Sequence, residues 1–286
     1  MVVLAAAVAA GEWLRRPSVP WAVAGVAAVL VALAALRPFG GSRRGFLAAA
    51  LAALALSIGV AQWQLTSIER HWPEQRKNRI DAAYGRLGSD LHSAFHRAER
   101  LAAAAANTTR TSRESAFEVL GGLIARSGPE ESVVVLDSTG QPWAWAGRHR
   151  LAPRLDGDSV GARATGYYVV LEARRHTSDG GVAIAGVLIW AHPAVADRDR
   201  SLAQLFRERT EVDLVVYPPG TAPDSTDVFD YEEPTAAGRR LLFSVLPVPA
   251  EQGAARELAY ERAARVTMWI VLGALAFAFA LAAGPT

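Results

Sequence analysis

What most constrains this chain is the placement of its uncharged apolar stretches. Trp21–Leu36 (WAVAGVAAVLVALAAL), Phe46–Gln62 (FLAAALAALALSIGVAQ) and Val266–Ala283 (VTMWIVLGALAFAFALAA) carry no charged residue. None shows the polar face that a soluble core helix presents every 3.6 residues. Each is slightly short of the ~20 residues a helix needs to cross a bilayer, and flanking Trp, Phe and Pro residues extend the reach. The hydropathy rule predicts three transmembrane helices in contact with the lipid bilayer. A shorter apolar run, Val2–Ala10, ends before Gly11 and Glu12. It lacks the basic n-region of a cleaved signal peptide and reads as a partial first membrane segment.

Arginines in the short loops set the expected orientation. The 37–45 loop carries Arg37, Arg43 and Arg44 with no acid, whereas 11–20 carries Arg15 and Arg16 against Glu12. The 37–45 loop is therefore placed in the cytoplasm and residues 64–263 outside, with the last helix returning. Arg265, at the outer edge of that helix, argues mildly the other way. The division expected is an N-terminal membrane region over 1–63, an extracytoplasmic domain over 64–263 and a C-terminal transmembrane helix over 264–286.

Composition removes several function classes. A hydrophobic share of 51% with a net charge of +2 is incompatible with disorder. The pI near 9.2 comes largely from arginines flanking the apolar stretches. No basic block exists, so nucleic acid is not an expected partner. With no cysteine, disulfide scaffolds, thiolate metal sites and cysteine catalysis are excluded.

The middle region opens with a long helical pattern in which Ile80, Tyr84, Leu87, Leu91, Ala94, Ala98 and Leu101 recur at steps of four and three. This heptad-like seam serves either packing on the helix's own domain or a homodimer running up from the membrane. Asn107-Thr108-Thr109 breaks it, and Ser112 opens a second helix to about Ala125. The period then changes to two. Ser132–Leu136 and Pro142–Ala146 form a hairpin around Asp137-Ser138-Thr139-Gly140, and Tyr167–Ala173 with Val182–Trp190 form another around Ser178-Asp179-Gly180-Gly181. Leu202–Arg209 reads as a short helix, Val212–Tyr217 and Arg240–Val245 as strands, and 218–238 as a polar loop. Glu251–Arg265 is helical and runs into the last apolar stretch. Hairpins without βαβ alternation predict an α+β fold with an antiparallel sheet.

On these residues the chain resembles the extracytoplasmic Cache domains of bacterial sensor histidine kinases and chemoreceptors, PAS-like antiparallel sheets behind a long N-terminal helix. The matching features are a span followed by the Thr66–Ala106 helix, the strand-turn-strand SVVVLDSTGQPWAWAG at 132–147, and a helix leading into a return span. In the first hairpin the family pattern of a hydrophobic strand, Asp-x-x-Gly and a second strand matches Val133–Leu136, Asp137, Gly140 and Trp143–Ala146. The resemblance covers about 64–284. It implies a multi-pass protein of the bacterial inner (cytoplasmic) membrane whose outer domain senses a signal. A HAMP linker, a phosphoacceptor helix and an ATP-binding domain would follow the last span, so the chain reads as the sensing end of a longer protein. It also implies a small-molecule ligand held on the sheet by aromatic and charged side chains. Trp143, Trp145, Arg148, Tyr167, Tyr168 and Trp190 are the candidates, Arg148 as a bidentate partner for a carboxylate. Alternation along a strand puts Trp143 and Trp145 on one face, where they serve equally well as core.

Other chemistry is weakly signalled. His92 and His96 sit four apart with Glu99 one turn on, but three residues on one helix read as solvated side chains, and no metal or cofactor is expected. No G-x-S-x-G elbow, H-E-x-x-H helix or phosphate-binding glycine loop is present, so no catalytic residue is assigned. The reading is a sensory module that transmits an outside signal through its last helix. A membrane-anchored assembly protein whose outer domain binds a protein partner is the alternative, and an anchored hydrolase a third.

Overall fold

The computed structural model describes residues 2–35, 42–108, 112–125, 127–194, 200–235 and 238–282. The chain is α+β with antiparallel sheets, and it divides into two compact units, residues 1–75 with 251–286 and residues 76–250.

The first unit is helical: α1 (Val2–Arg15), α2 (Val19–Ala35), α3 (Ser42–Arg70), the first turn of α4 (Trp72–Ala106) and α7 (Gln252–Ala282). Its interior is built from Ala10, Trp13, Ala22, Val29, Leu51, Leu54, Ile58, Ala61 and Leu65. Its outer surface is also apolar, with Val23, Leu30, Leu56, Trp63 and Trp269 exposed. Within α3, Ala48–Arg70 is long and apolar enough to cross a membrane by length and composition, and Val19–Val31 is a shorter apolar helix. The expected spans at 21–36 and 266–283 both run past the described residues, as do the 37–41 part of the basic loop and the Gly284–Thr286 tail.

Polar contacts tie these helices together. Ser57 and Thr267 share a hydrogen bond of 3.0 Å between α3 and α7, and Trp13 Nε1 donates to Gln62 Oε1 at 3.0 Å. The helix expected over Thr66–Ala106 is divided at His71, because Pro73 has no N–H to offer the carbonyl of Glu69. Gln252 replaces the lost donor: its side-chain amide donates to the carbonyls of Ile68 at 3.0 Å and Glu69 at 3.3 Å. Arg256 pairs with Glu69 at 2.9 Å. Residues 64–75 and 251–263 are thereby held with the apolar helices.

The second unit packs α4 and α5 (Arg113–Leu123) with two antiparallel sheets. The first contains β1 (Glu131–Leu136), β2 (Pro142–Gly147), β3 (Val160–Ala164), β4 (Tyr168–His176) and β5 (Val182–Ala191) in the order β2-β1-β5-β4-β3. After α6 (Leu202–Thr210), β6 (Val212–Tyr217), β7 (Phe229–Thr235) and β8 (Gly238–Pro249) form the second in the order β6-β8-β7. Ser112 caps α5 and Ser201 caps α6, each hydroxyl accepting from the backbone N–H three residues on. Asp137 Oδ1 closes the first hairpin by accepting from the Thr139 and Gln141 N–H groups at 2.8 and 2.9 Å. The polar stretch 218–238, expected to be a loop, contains β7. Its pairing with β8 and the stacking of Tyr231 on Phe243, 5.2 Å between centroids, override its acidic composition.

The main core joins both sheets to α4, α5 and α6. Leu87, Leu91, Ala94, Ala98 and Leu101 of the heptad-like seam are buried in it, so the seam is occupied within its own unit. Leu91 is fully buried. Leu91→Ala is expected to cost about 2–5 kcal/mol, seen in urea unfolding as a lower midpoint with an unchanged slope.

Candidate functional site

The two faces of the five-stranded sheet differ. Val133, Val135, Leu171, Ala173, Ala183, Ala185 and Val187 point into the main core. Their alternate neighbours face the other way, where Val134, Leu136, Val182 and Ile184 form one apolar cluster and Val170, Leu188 and Ala191 another. Between these clusters runs a row of small and polar residues, Gly147–Ser132–Gly186–Glu172–Gly161, aligned strand by strand through the register. Gly186 is required there for close approach. A Cβ would stand 2.9 Å from Ser132 Oγ and 3.1 Å from a Val170 methyl.

Glu172, only 6% exposed, is the charge in this row. Each carboxylate oxygen takes one guanidinium, Arg163 Nη1 at 3.0 Å on Oε1 and Arg174 Nη2 at 3.0 Å on Oε2. The same guanidiniums reach outward to residues 148–159, a strap crossing the sheet face. Arg163 Nη1 donates to the Ala152 carbonyl at 2.8 Å, and Arg174 Nη1 donates to those of Arg154, at 2.8 Å, and Asp156. Arg240 of β8 holds the far end through Asp158 and the Val160 carbonyl, and itself pairs with Glu233 at 2.7 Å. At the near end Arg150 makes a bidentate pair with Glu130 at 2.8 and 2.9 Å and lies over the Tyr168 ring, 5.2 Å from its centroid. One buried carboxylate thus supports an arginine layer, and that layer supports the strap's backbone.

From within the strap, His149 Nε2 donates to the Val133 carbonyl of the sheet at 3.2 Å. Burial pushes its pKa below the usual imidazole value, against the opposing pull of that hydrogen bond and of the Glu172 charge. The space enclosed by Ser132, Val134, His149, Leu151, Glu172 and Ile184 is about 10 Å³, room for no more than one water. The strap fills its own pocket, so a larger ligand enters only by displacing it. A more open groove of about 530 Å³ lies between α4, α6 and residues 127–131, walled by the pairs Arg97–Glu131 and Arg209–Asp90.

The six expected ligand contacts are not gathered in either place. Arg148, 3.9 Å from Glu130, and Tyr168 flank the Arg150–Glu130 pair at the strap's near end. Tyr167 is exposed and meets His192 edge-on, as does Trp190, which packs on the opposite, core side of the sheet. Trp143 and Trp145 do not share one environment. A register shift between Val135 and Leu136 sets a bulge at Trp143, whose side chain packs against the main core. Trp145 pairs with Val134, is 44% exposed and meets Phe117 edge-on at 4.9 Å. Sequence reasoning passed over Glu172, Arg163, Arg174 and His149. The available signal was the acid at Glu172, set between Leu171 and Ala173 at the end of the apolar run Val169–Leu171 and followed by Arg174 and Arg175. Among the described residues no group of three His, Asp or Glu side chains is arranged to hold a metal.

Glu172→Ala leaves two arginines facing the sheet without their carboxylate and is expected to destabilise the second unit by about 3–5 kcal/mol in chemical denaturation. For His149 the folded state resists protonation while the unfolded chain titrates near 6.5. Stability is therefore fully present above about 6.5 and falls as the pH drops from there toward the lower folded value. Amide exchange across 148–159 is expected to accelerate over that window, and His149→Gln to flatten the dependence. No protein-family model, curated protein or solved structure matches this chain.

Proposed function

We propose that this chain is the membrane-embedded sensory module of a bacterial signal-transduction protein, most closely of the sensor histidine kinase type. In this reading α2, α3 and α7 anchor it in the cytoplasmic membrane, and the second unit is an extracytoplasmic Cache-like domain. The observation that carries the reading is the connection between the sheets and the last helix. Only Ala250 and Glu251 separate β8 from α7, which continues without interruption for 31 residues into an apolar segment. The antiparallel sheet with a long preceding helix and the apolar outer surface of the first unit both support it.

The strap supplies the two arrangements a sensor needs. A ligand that binds the outer face with the strap displaced favours that arrangement by its differential affinity alone. Arg240 ties the strap's far end to β8, the strand that leads into α7. A change at residues 148–159 is thus delivered to the strand preceding the membrane helix.

The test is a chimera in which residues 1–286 are joined to the transmitter of a well-behaved sensor kinase driving a reporter gene. Output is expected to depend on residues 76–250, and Arg240→Ala is expected to shift the basal level while the chain remains in the membrane. A reporter indifferent to both deletion of 76–250 and Arg240→Ala would overturn the sensory reading and favour an anchored assembly protein.

A further inference from the structure

The exposed face of α4 carries a second arrangement, unconnected with the strap. His92 and His96, one turn apart, hold their rings nearly perpendicular at 86°, with centroids 4.2 Å apart. Their Nε2 atoms meet at 2.9 Å. The other nitrogen of His96, Nδ1, lies 3.2 Å from Glu99 Oε2, and Glu99 Oε1 accepts from Arg175 Nη2 at 3.1 Å.

These partners fix the protons of the neutral pair. A carboxylate beside a guanidinium only accepts, so the hydrogen of His96 is on Nδ1 and its Nε2 presents a lone pair. His92 then donates from Nε2. An imidazole lone pair directed at a second imidazole nitrogen, with a carboxylate behind the ring, has the geometry of a metal ligand with its supporting shell. Metal-bound histidines nearly always donate their other N–H to such a group, which orients the ring and raises its basicity. Two nitrogens at ~2.0–2.1 Å from one ion, on adjacent coordination positions, stand ~3 Å apart, close to the spacing already present. His92 has to move its proton from Nε2 to Nδ1 through solvent, and a turn of these two exposed rings then aims both lone pairs at one ion.

We propose that His92 and His96 form a chelate for a divalent ion of the zinc, nickel and copper class, with Glu99 as a positioning residue behind His96 and Arg175 holding Glu99. Imidazole nitrogen selects these ions over calcium and magnesium, which take oxygen ligands. Two protein ligands leave the remaining positions to water, so the site is open and solvent-facing. The proposal does not depend on the sensory reading.

Calorimetric titration of the full chain in nanodiscs with Zn²⁺ alone, and separately with Ni²⁺, provides the test. One ion per chain is expected, with no heat from Ca²⁺. His92→Ala and His96→Ala, both at exposed positions, are expected to abolish that binding, and His176→Ala to leave it unchanged. Glu99→Gln keeps both imidazoles and is expected to weaken binding about 10–100-fold. A double His92→Ala/His96→Ala chain that binds as the native one does overturns the site. Native affinity in Glu99→Gln overturns the role given to Glu99.

Discussion

The outer face of the five-stranded sheet depends on a carboxylate removed from water. An isolated buried charge is costly enough that it persists only when paired and hydrogen-bonded on all sides. Glu172 meets that condition with two arginines, one on each oxygen, and both arginines also donate to backbone carbonyls of the 148–159 strap. The strap has no regular secondary structure to satisfy those carbonyls internally. Its conformation is thus imposed from below, by charge, where a ladder of backbone hydrogen bonds would impose it from the side. Loss of the carboxylate would also release the groups that the arginines hold, which is why one position governs twelve residues of chain.

How much of this was legible in the sequence varies with burial. The hairpins β1–β2 and β4–β5, the helix α6 and strands β6 and β8 follow from apolar alternation and turn residues, because each has a face in the core. The strands β3 and β7 escaped notice because both are edge strands. Val160–Ala164 contains Gly161 and Arg163, and Phe229–Thr235 contains three acids and Pro234, residues that an edge tolerates and a central strand does not. The site was less legible than the fold. Aromatic content pointed to Trp143, Trp145 and Trp190, but register shifts beside Leu136 and Val170 redirect side chains in a way that no alternation rule anticipates. Arg148 and Tyr168 do reach the strap's near end. The decisive residue, Glu172, was visible only as an acid breaking the apolar first half of β4.

The heptad-like seam illustrates how one pattern answers two questions. Its period is that of a coiled coil, yet the partner that fills it is the unit's own sheets. What the seam leaves to solvent is the opposite, polar face of α4, and there the chemistry differs in kind: imidazoles and a carboxylate in hydrogen-bonding distance of one another, where the buried face has only Ile, Leu and Ala. Helical period alone distinguishes the two faces without saying what either will meet.

The first unit is discontinuous in the chain, and this bears on how it comes into being. The Ser57–Thr267 hydrogen bond joins residues 210 apart, and the donor that replaces the one lost at Pro73 comes from Gln252. Chains emerge from the ribosome N-terminus first, and domains tend to fold as units while they do so. Residues 76–250 are therefore complete before the helix that finishes the bundle has been made. Until then α3 waits with a hydroxyl, two carbonyls and an apolar flank unmatched, the interval in which a bundle of this kind is most exposed to wrong partners. A helix made after residues 76–250 closes a bundle begun before them.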